Sequence, residues 1–300
     1  MTPQHVEPIV AVLWGALLVI AVLYAWRWVA LERARGTRDA KPTPAFLGIG
    51  FGANFLDTLG IGSFATTTAA FRLGRLVPDD QLPGTLNAGH GLPTVAQALI
   101  FVIAVKIDTT TLVAMIAAAV AGAWLGARFV SGLPKRAIQG GMGIALLVAA
   151  GLFLLRNYDL LPGGGDALGL EGGMLLAGVA GNFVLGALMT LGIGLYAPCM
   201  ILVALLGMNP IAAFPIMMGS CAFLMPIGSI AFIRSGRYST KAAVGLAIGG
   251  IPGVLIAAFI VKSLPLTVLN WLVFVVVLYT AATLLWSMRR REPAPATSAA

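Results

Sequence analysis

Long apolar runs separated by short basic or polar segments make up most of the chain. The first run extends from Pro8 to about Leu31, and the others cover 45–73, 83–105, 109–131, 136–155, 170–206, 209–233, 240–262 and 265–288. Most of them reach the roughly 20 residues that an α-helix needs to cross the hydrocarbon core of a bilayer. The pattern predicts an all-α polytopic membrane protein.

The composition agrees with this prediction. Of the 300 residues, 59% are hydrophobic and 10% are charged, and the mean hydropathy is +0.95. Soluble domains carry about 25% charged residues. The net charge of +8 would suggest nucleic acid in a soluble chain, but here the basic residues stand between apolar runs, where they set orientation in a membrane. The expected partner is the lipid bilayer, and no nucleic acid is expected.

Basic residues predict which ends of the runs face the cytoplasm. Arg33 and Arg35 follow the first run, and no Lys or Arg precedes it. Because cytoplasmic loops are enriched in Lys and Arg, the N-terminus is placed outside. If every run crossed the membrane once, Lys135 and Arg136 would lie outside, against the same bias.

This conflict disappears if two runs enter and leave the membrane on the same side. The two are 45–73 and 170–206, each long enough for a hairpin. Every basic cluster, including Arg289–Arg291, then faces the cytoplasm. We therefore expect a multi-pass protein of the inner membrane with a cytoplasmic C-terminus.

Both hairpins contain the same pentapeptide, TLGIG. It occupies Thr58–Gly62 and Thr190–Gly194, 132 residues apart. A Leu-Pro pair recurs at almost the same offset, at Leu133–Pro134 and Leu264–Pro265. Repetition of two landmarks in the same order indicates an internal duplication.

The predicted fold is an N-terminal helix plus two inverted repeats, each a Gly-broken hairpin followed by three transmembrane helices. Inverted repeats with broken helices are typical of secondary transporters. The N-terminal transmembrane helix and its basic cytoplasmic linker occupy 1–44. Repeat 1 covers 45–156, an external loop 157–169 and repeat 2 170–288, and a disordered cytoplasmic tail covers 289–300.

These glycine-centred hairpins resemble those of the sulfite exporter TauE/SafE family. The most similar stretch is FLDTLGIGSFATTTAAFRL followed by PGTLNAGHGLPTVAQALIF, and the resemblance covers about 45–288. It implies a permease for sulfur-containing anions such as sulfite or organosulfonates, working without ATP hydrolysis. A longer glycine run often follows the GIG in this family, whereas Ser63 and Leu195 follow it here.

Two titratable residues lie well inside the predicted membrane runs, Asp57 and His90. An ionisable group in hydrocarbon is costly, so both are candidates for proton coupling. The competing interpretation is structural. Asp57 would brace the helix break through exposed backbone amides, and His90 would be a hydrogen-bonded core residue.

A helix that restarts after a glycine break points free N–H groups at a cavity and favours an anion. We therefore expect the substrate between the two restarts, with Ser63 capping the new helix or donating to the ligand. The predicted substrate-binding residues are Gly60, Gly62, Ser63, Asn87, His90, Gly192, Gly194, Tyr196 and Ser220. No metal site and no cofactor are expected, because His and Cys are few and lack ligand spacing.

The favoured function is a secondary transporter, working as an exporter and coupled to protons or to the membrane potential. A passive anion channel and a carrier of another small organic anion stay open. A remote alternative is an intramembrane serine protease using Ser63 and His90, although Phe64 stands where its motif needs glycine; no enzyme is expected. Gly122 and Gly126 are expected to pack inside the chain, and a homodimer is left open.

Overall fold

The computed structural model describes residues 8–37, 40–59, 61–160, 165–192, 194–209 and 212–259, with 278, 281, 282, 285 and 286. The described part is helical, and its one β-type pairing is an isolated bridge between Ala167 and Met208. The helices are α1 Pro8–Ala34, α2 Pro44–Thr58, α3 Ser63–Gly74, α4 Leu82–Ala104, α5 Thr109–Val130, α6 Lys135–Asn157, α7 Gly172–Met189, α8 Tyr196–Leu205, α9 Ala213–Ser235 and α10 Thr240–Phe259.

Five of these helices, α1, α5, α7, α9 and α10, are long and apolar enough to cross a bilayer. The all-helical membrane fold predicted from the sequence is therefore confirmed. Some predictions fall outside the described residues. They concern Gly60, the Leu264–Pro265 pair, most of the last run 265–288 and the tail 289–300.

Local signals explain where several helices begin and end. Pro44 opens α2, and the Thr43 hydroxyl before it accepts a hydrogen bond from the Phe46 amide, as N-cap threonines do. Asp108 caps α5 in the same way, with its Oδ1 2.7 Å from the Thr111 amide nitrogen. Gly236, with φ of 73°, ends α9 in the left-handed conformation.

One end of the helix bundle, which we call the basic end, gathers the positively charged loops. Arg237, after α9, donates to the Leu133 carbonyl before α6 at 2.6 Å. Arg72 of α3 pairs with Asp79, which also accepts a hydrogen bond from Gln139 of α6 at 2.8 Å. These contacts bring the termini of α3, α6 and α9 together.

The other end, which we call the opposite end, joins the segments before α5, before α7 and after α8. The Asp108 amide donates to the Leu168 carbonyl at 2.7 Å. The Asn209 amide donates to the Ala167 carbonyl at 2.8 Å. No ion pair occurs at this end among the residues that the structure describes.

Each TLGIG segment coincides with a break between two helices. The first break separates α2 from α3, and the second separates α7 from α8. Gly62 has φ of 92° and Gly192 has φ of 96°, a conformation that glycine adopts without a steric penalty. Helix α2 begins and α3 ends at the basic end, whereas α7 begins and α8 ends at the opposite end.

Glycines allow two pairs of helices to pack with their backbones in contact. Helix α2 packs most closely on α10, and α7 on α5. A Cβ added to Gly249 of α10 would overlap the Leu47 carbonyl of α2, and one added to Gly122 of α5 would overlap the Phe183 carbonyl of α7. Between these pairs, α4 and α9 pack on each other. Gly122 thus packs within the chain, as expected from the sequence.

Helix α1 is fastened to this bundle by buried hydrogen bonds. The Tyr24 hydroxyl donates to the Ala88 carbonyl at 3.0 Å, and the Trp28 indole donates to the Tyr238 hydroxyl at 2.8 Å. Tyr238 in turn donates to the Glu32 carboxylate at 2.5 Å. Burial raises the pKa of Tyr238, so its phenol keeps the proton that this last bond requires.

Candidate functional site

The first helix break is closed by a carboxylate. Asp57, the second-last residue of α2, is only 2% exposed. Its Oδ1 accepts a hydrogen bond at 2.5 Å from the backbone N–H of Ser63, the first residue of α3. The amides in the first turn of a helix have no partner within the helix, so Asp57 serves as the cap of α3. Ser63, which the sequence suggested as the cap, is instead the residue that is capped.

A glutamine on α4 connects this carboxylate to the second break. Gln97 Nε2 donates to Asp57 Oδ2 and to the Thr58 hydroxyl, both at 2.9 Å. Gln97 Oε1 accepts a hydrogen bond at 2.6 Å from the hydroxyl of Tyr196, the first residue of α8. We call this series of hydrogen-bonded side chains, from Tyr196 through Gln97 to Asp57, the relay. It ties the two broken hairpins together through side chains that are all buried or nearly so.

A small cavity lies between the N-terminal ends of α3 and α8. Its volume of about 20 Å³ is enough for about one water molecule. The lining residues are Asp57, Gly62, Ser63, Phe64, Thr94, Met189, Gly194, Leu195, Tyr196, Cys221 and Met225. No Lys or Arg is among these described lining residues.

The cavity lining combines two kinds of polar and polarisable group. Oxygen atoms come from Asp57, Ser63, Thr94 and Tyr196. Sulfur atoms come from Cys221, Met189 and Met225, with the Cys221 thiol 3.6 Å from the Met189 thioether. Thioethers are polarisable and adaptable in shape, so these side chains can accommodate a changing occupant.

His90 lies behind the cavity lining and is fully buried. Asn54 turns its amide nitrogen to the Gly50 carbonyl at 2.8 Å, so its oxygen faces His90 Nδ1 at 3.1 Å. Nδ1 therefore donates, and Nε2 accepts from the Thr67 hydroxyl at 3.0 Å. Both ring nitrogens of a neutral imidazole are satisfied in this arrangement.

The second half contains a similar buried pair. Asn182 Nδ2 donates to the Ser220 hydroxyl at 3.0 Å and to the Met115 carbonyl at 2.7 Å. Asn182 on α7 thus contacts Ser220 on α9, as Asn54 on α2 contacts His90 on α4. Ser220, like His90, stands behind the cavity, and its neighbour Cys221 lines it.

The structure therefore brings together only part of the predicted set. Gly62, Ser63, Gly194 and Tyr196 line the cavity with Asp57, whereas the described lining leaves out His90, Asn87, Gly192 and Ser220. Gly192 lies at the second break beside Met142. The Asn87 amide bonds to the Pro83 carbonyl one turn earlier in α4. Gly60 lies outside the described residues.

The sequence analysis did not place Gln97, Thr94 or Cys221 among the predicted site residues. A signal for the first two exists, because His90, Thr94 and Gln97 have the i, i+4, i+7 spacing of one helix face. Three polar residues on one face of an otherwise apolar span indicate a buried polar surface. Cys221 carried no such signal, since a lone cysteine in an apolar helix is ordinary core.

A protein-family model described as Sulfite exporter TauE/SafE matches residues 1–153, just over half of the chain. The chain belongs to the sulfite exporter TauE/SafE family. The match contains α1 to α5, the first break and most of α6, and therefore Asp57, His90 and Gln97. No curated protein and no solved structure matches the chain.

Membership of TauE/SafE makes this chain a multi-pass protein of a membrane transporter family. The geometry also bears on the serine protease alternative. His90 is hydrogen-bonded to Asn54 and Thr67, and the amide of Ser63 bonds to Asp57. The protease interpretation needs His90 as the base within hydrogen-bonding reach of Ser63, and this arrangement gives it no support.

Proposed function

We propose that this TauE/SafE protein is a secondary transporter that moves a small sulfur-containing anion, such as sulfite or an organosulfonate, through the cavity between α3 and α8. Transport is in the export direction and is coupled to protons or to the membrane potential. The observation that carries the proposal is the meeting of two half-helix N-termini around one buried cavity with hydroxyl groups.

An anion suits this cavity because helix N-termini carry a partial positive charge and free N–H donors. Ser63 and Thr94 add hydroxyl groups that can donate to an anion, and the Tyr196 hydroxyl also lines the cavity. No cationic side chain lines it among the described residues, so binding relies on neutral donors. Such binding is weak enough to allow release on the other side of the membrane, which a transporter requires.

The proposal includes two inverted repeats, and several observations support that interpretation. In this interpretation α2, α4 and α5 correspond to α7, α9 and α10. The close pair α2–α10 then corresponds to the close pair α7–α5, and the pair α4–α9 corresponds to itself. The Asn54–His90 and Asn182–Ser220 bonds each join the first arm of a broken hairpin to the helix that follows the hairpin. Each broken hairpin returns to its own end of the bundle. When the basic end faces the cytoplasm, the N-terminus lies on the outer side of the inner membrane.

The small volume of the cavity favours a carrier over a passive channel. With space for about one water molecule, it cannot pass a four-atom oxyanion until the two breaks move apart. The relay holds them together in this state. A carrier alternates between such closed and open arrangements around a fixed site, whereas a pore leaves a continuous path.

Asp57 and His90 receive different roles in this proposal. Asp57 faces the cavity and carries the coupled proton. His90 positions α2 and α3 against α4 through Asn54 and Thr67. Both assignments are testable by substitution.

The test is flux into proteoliposomes containing the purified protein. Sulfite, sulfoacetate, isethionate, taurine and acetate are compared under imposed pH gradients and membrane potentials. We expect saturable flux and counter-flow of at least one sulfur anion. Ser63→Ala should weaken its apparent affinity by about two- to tenfold, the effect of one lost hydrogen bond. Ser229→Ala is the matched control, because Ser229 bonds to the Pro226 carbonyl of its own helix and interacts with Tyr24 of α1, and none of these residues is in the described cavity lining.

Three other outcomes would change the proposal. Unsaturable conductance without counter-flow would make the protein a channel. Equal flux of acetate and the sulfur anions would make it a general carrier of small organic anions. An absence of flux for every compound, in sealed and correctly loaded vesicles, would leave only the fold.

A further inference from the structure

The N-terminus of α3 is an anion-binding feature of the cavity, and a carboxyl group of the protein already occupies it. Asp57 Oδ1 accepts the Ser63 N–H, and the Ser63 hydroxyl also interacts with the same carboxylate. These are the donors that an oxyanion in the cavity would use. The carboxylate of Asp57 therefore stands where a cargo oxyanion would stand.

The second break lacks such an internal anion. Met189 precedes the second TLGIG as Asp57 precedes the first, and both residues line the cavity. Leu195, before α8, makes no side-chain cap. The Thr190 hydroxyl bonds back to the Ala187 carbonyl of its own helix. The two breaks thus have glycines at the same motif positions, but an acidic side chain caps a helix only at the first break.

We propose that the ionised carboxylate of Asp57 acts as a stand-in for the cargo in the empty carrier, so that the cargo anion binds only together with one proton. This inference rests on the proposed anion transport and specifies its coupling. Protonation of Asp57 frees the Ser63 N–H for the cargo and removes a like charge from a cavity that holds about one water molecule.

The groups around Asp57 offer no other way to cancel a second negative charge. Gln97 of α4 and Ser63 of α3 are neutral. The titratable neighbours are Tyr196 of α8 and Cys221 of α9, and both can only add negative charge. No Lys or Arg is present in the described lining. Two anions in contact at a buried site repel strongly, so the proton must come with the cargo.

The same proton would loosen the relay. Hydrogen bonds to an ionised carboxylate are about twice as strong as those between neutral groups. Neutralising Asp57 therefore weakens its bonds to Gln97 and to the α3 amide. Since Gln97 also holds Tyr196, cargo binding and separation of the two breaks become one event.

Equilibrium binding to the detergent-purified protein tests this inference. The probe is radiolabelled isethionate, whose sulfonate stays ionised between pH 5 and about 9, so that only the protein titrates. Wild-type affinity should fall by about tenfold per pH unit on the alkaline side of the Asp57 titration, the slope for one linked proton. On the acid side it should be constant.

Asp57→Asn should bind isethionate at all these pH values with no slope, because its neutral amide places no negative charge against the cargo and competes for the Ser63 N–H more weakly than a carboxylate does. The matched control is Asp108→Asn. Asp108 caps α5 as Asp57 caps α3, but it lies at the opposite end of the bundle and outside the described cavity lining. Asp108→Asn should keep the wild-type slope.

Proton uptake in weakly buffered solution provides a measurement that needs no variant. At pH values above the Asp57 titration, we expect the wild type to take up about one proton for each isethionate that it binds. Binding without pH dependence or proton uptake in the wild type would overturn the inference, as would an unchanged slope in Asp57→Asn. Both results leave the anion carrier standing. If neither isethionate nor any other sulfur anion binds or crosses at any pH, the proposed function fails and this inference fails with it.

Discussion

A titratable side chain inside a membrane protein can be fully engaged in holding helices together. His90 is such a residue, because Asn54 accepts from one ring nitrogen and Thr67 donates to the other. These partners lie on α2 and α3, the two arms of the first hairpin, while His90 lies on α4. The imidazole thus fixes both arms against one continuous helix, next to the break that separates them.

Replacement of His90 should therefore affect stability more than coupling. His90→Leu leaves the Asn54 oxygen and the Thr67 hydroxyl buried without their partner, at a cost of about 1–3 kcal/mol for each. We expect a clear fall in the thermal unfolding temperature of the purified protein. His90→Gln, whose amide can donate and accept, should recover much of it and keep the proton uptake of the wild type.

The result that would contradict this role is a well-folded His90→Gln that binds the cargo without taking up a proton. The proton would then belong to His90, and Asp57 would be a structural cap. A parallel measurement on Asp57→Asn separates the two possibilities, since only one of the residues can carry a single coupled proton.

At the scale of helices, the lack of side chains at selected glycines determines which pairs can approach closely. Gly249 of α10 faces the backbone of α2 at Leu47, and Gly122 of α5 faces the backbone of α7 at Phe183. Between apolar helices in lipid, van der Waals packing of this kind supplies much of the association energy. The arms of the two broken hairpins are held in place by these contacts.

Alanine substitutions should distinguish glycines at close helix contacts from glycines with open space around them. Gly249→Ala and Gly122→Ala force the paired backbones apart and should lower the unfolding temperature and the yield of monodisperse protein. The matched control is Gly151→Ala in α6, where an added Cβ meets nothing within 4 Å. There alanine should be neutral or stabilising by up to about 1 kcal/mol, because it favours helix more than glycine does. Equal losses for all three variants would contradict the packing argument.

The sequence predicted the helices and their breaks well, because both depend on local signals. Runs of apolar residues mark the spans, and glycine marks the points where a helix can stop. Each pentapeptide contains a glycine with a positive φ angle, Gly62 in the first and Gly192 in the second, where glycine allows the chain to turn without a steric penalty.

The site itself was only partly predictable, because some of its contacts join residues that are far apart in the sequence. Asp57 and Ser63 were recognised because they flank a break. Gln97 gains its importance from two partners, Asp57 and Tyr196, that are 40 and 99 residues away. Nothing local indicates that an amide in α4 will meet both. Contacts of this kind follow from the packing of whole helices, which one sequence does not display.

At the scale of the whole molecule, charge is distributed between two distinct ends. The basic end gathers the loops after α1, α3, α5 and α9, with the Arg237 and Arg72 contacts between them. The opposite end joins the segments around Asp108, Leu168 and Asn209. Because Lys and Arg are retained on the cytoplasmic side during insertion, this polarity predicts the orientation of every described helix.

Cysteine labelling in intact cells tests this orientation. In a chain whose Cys199 and Cys221 are replaced by Ala, Leu168→Cys at the opposite end should react with a membrane-impermeant maleimide. Gly132→Cys at the basic end should react only after the membrane is permeabilised. Both positions are exposed in the structure. Labelling of Gly132→Cys alone in intact cells would reverse the topology.

The hydrogen bond between Glu32 and Tyr238 has a consequence for how the protein is made. It joins residues 206 positions apart, so the first helix enters the membrane long before its partners at the end of α9 have been synthesised. During that interval the Trp28 indole and the Glu32 carboxylate lack the phenol that satisfies both of them. Helix α1 can therefore reach its final place only after the ribosome has produced more than two thirds of the chain, and until then lipid headgroups and water must serve in place of the protein.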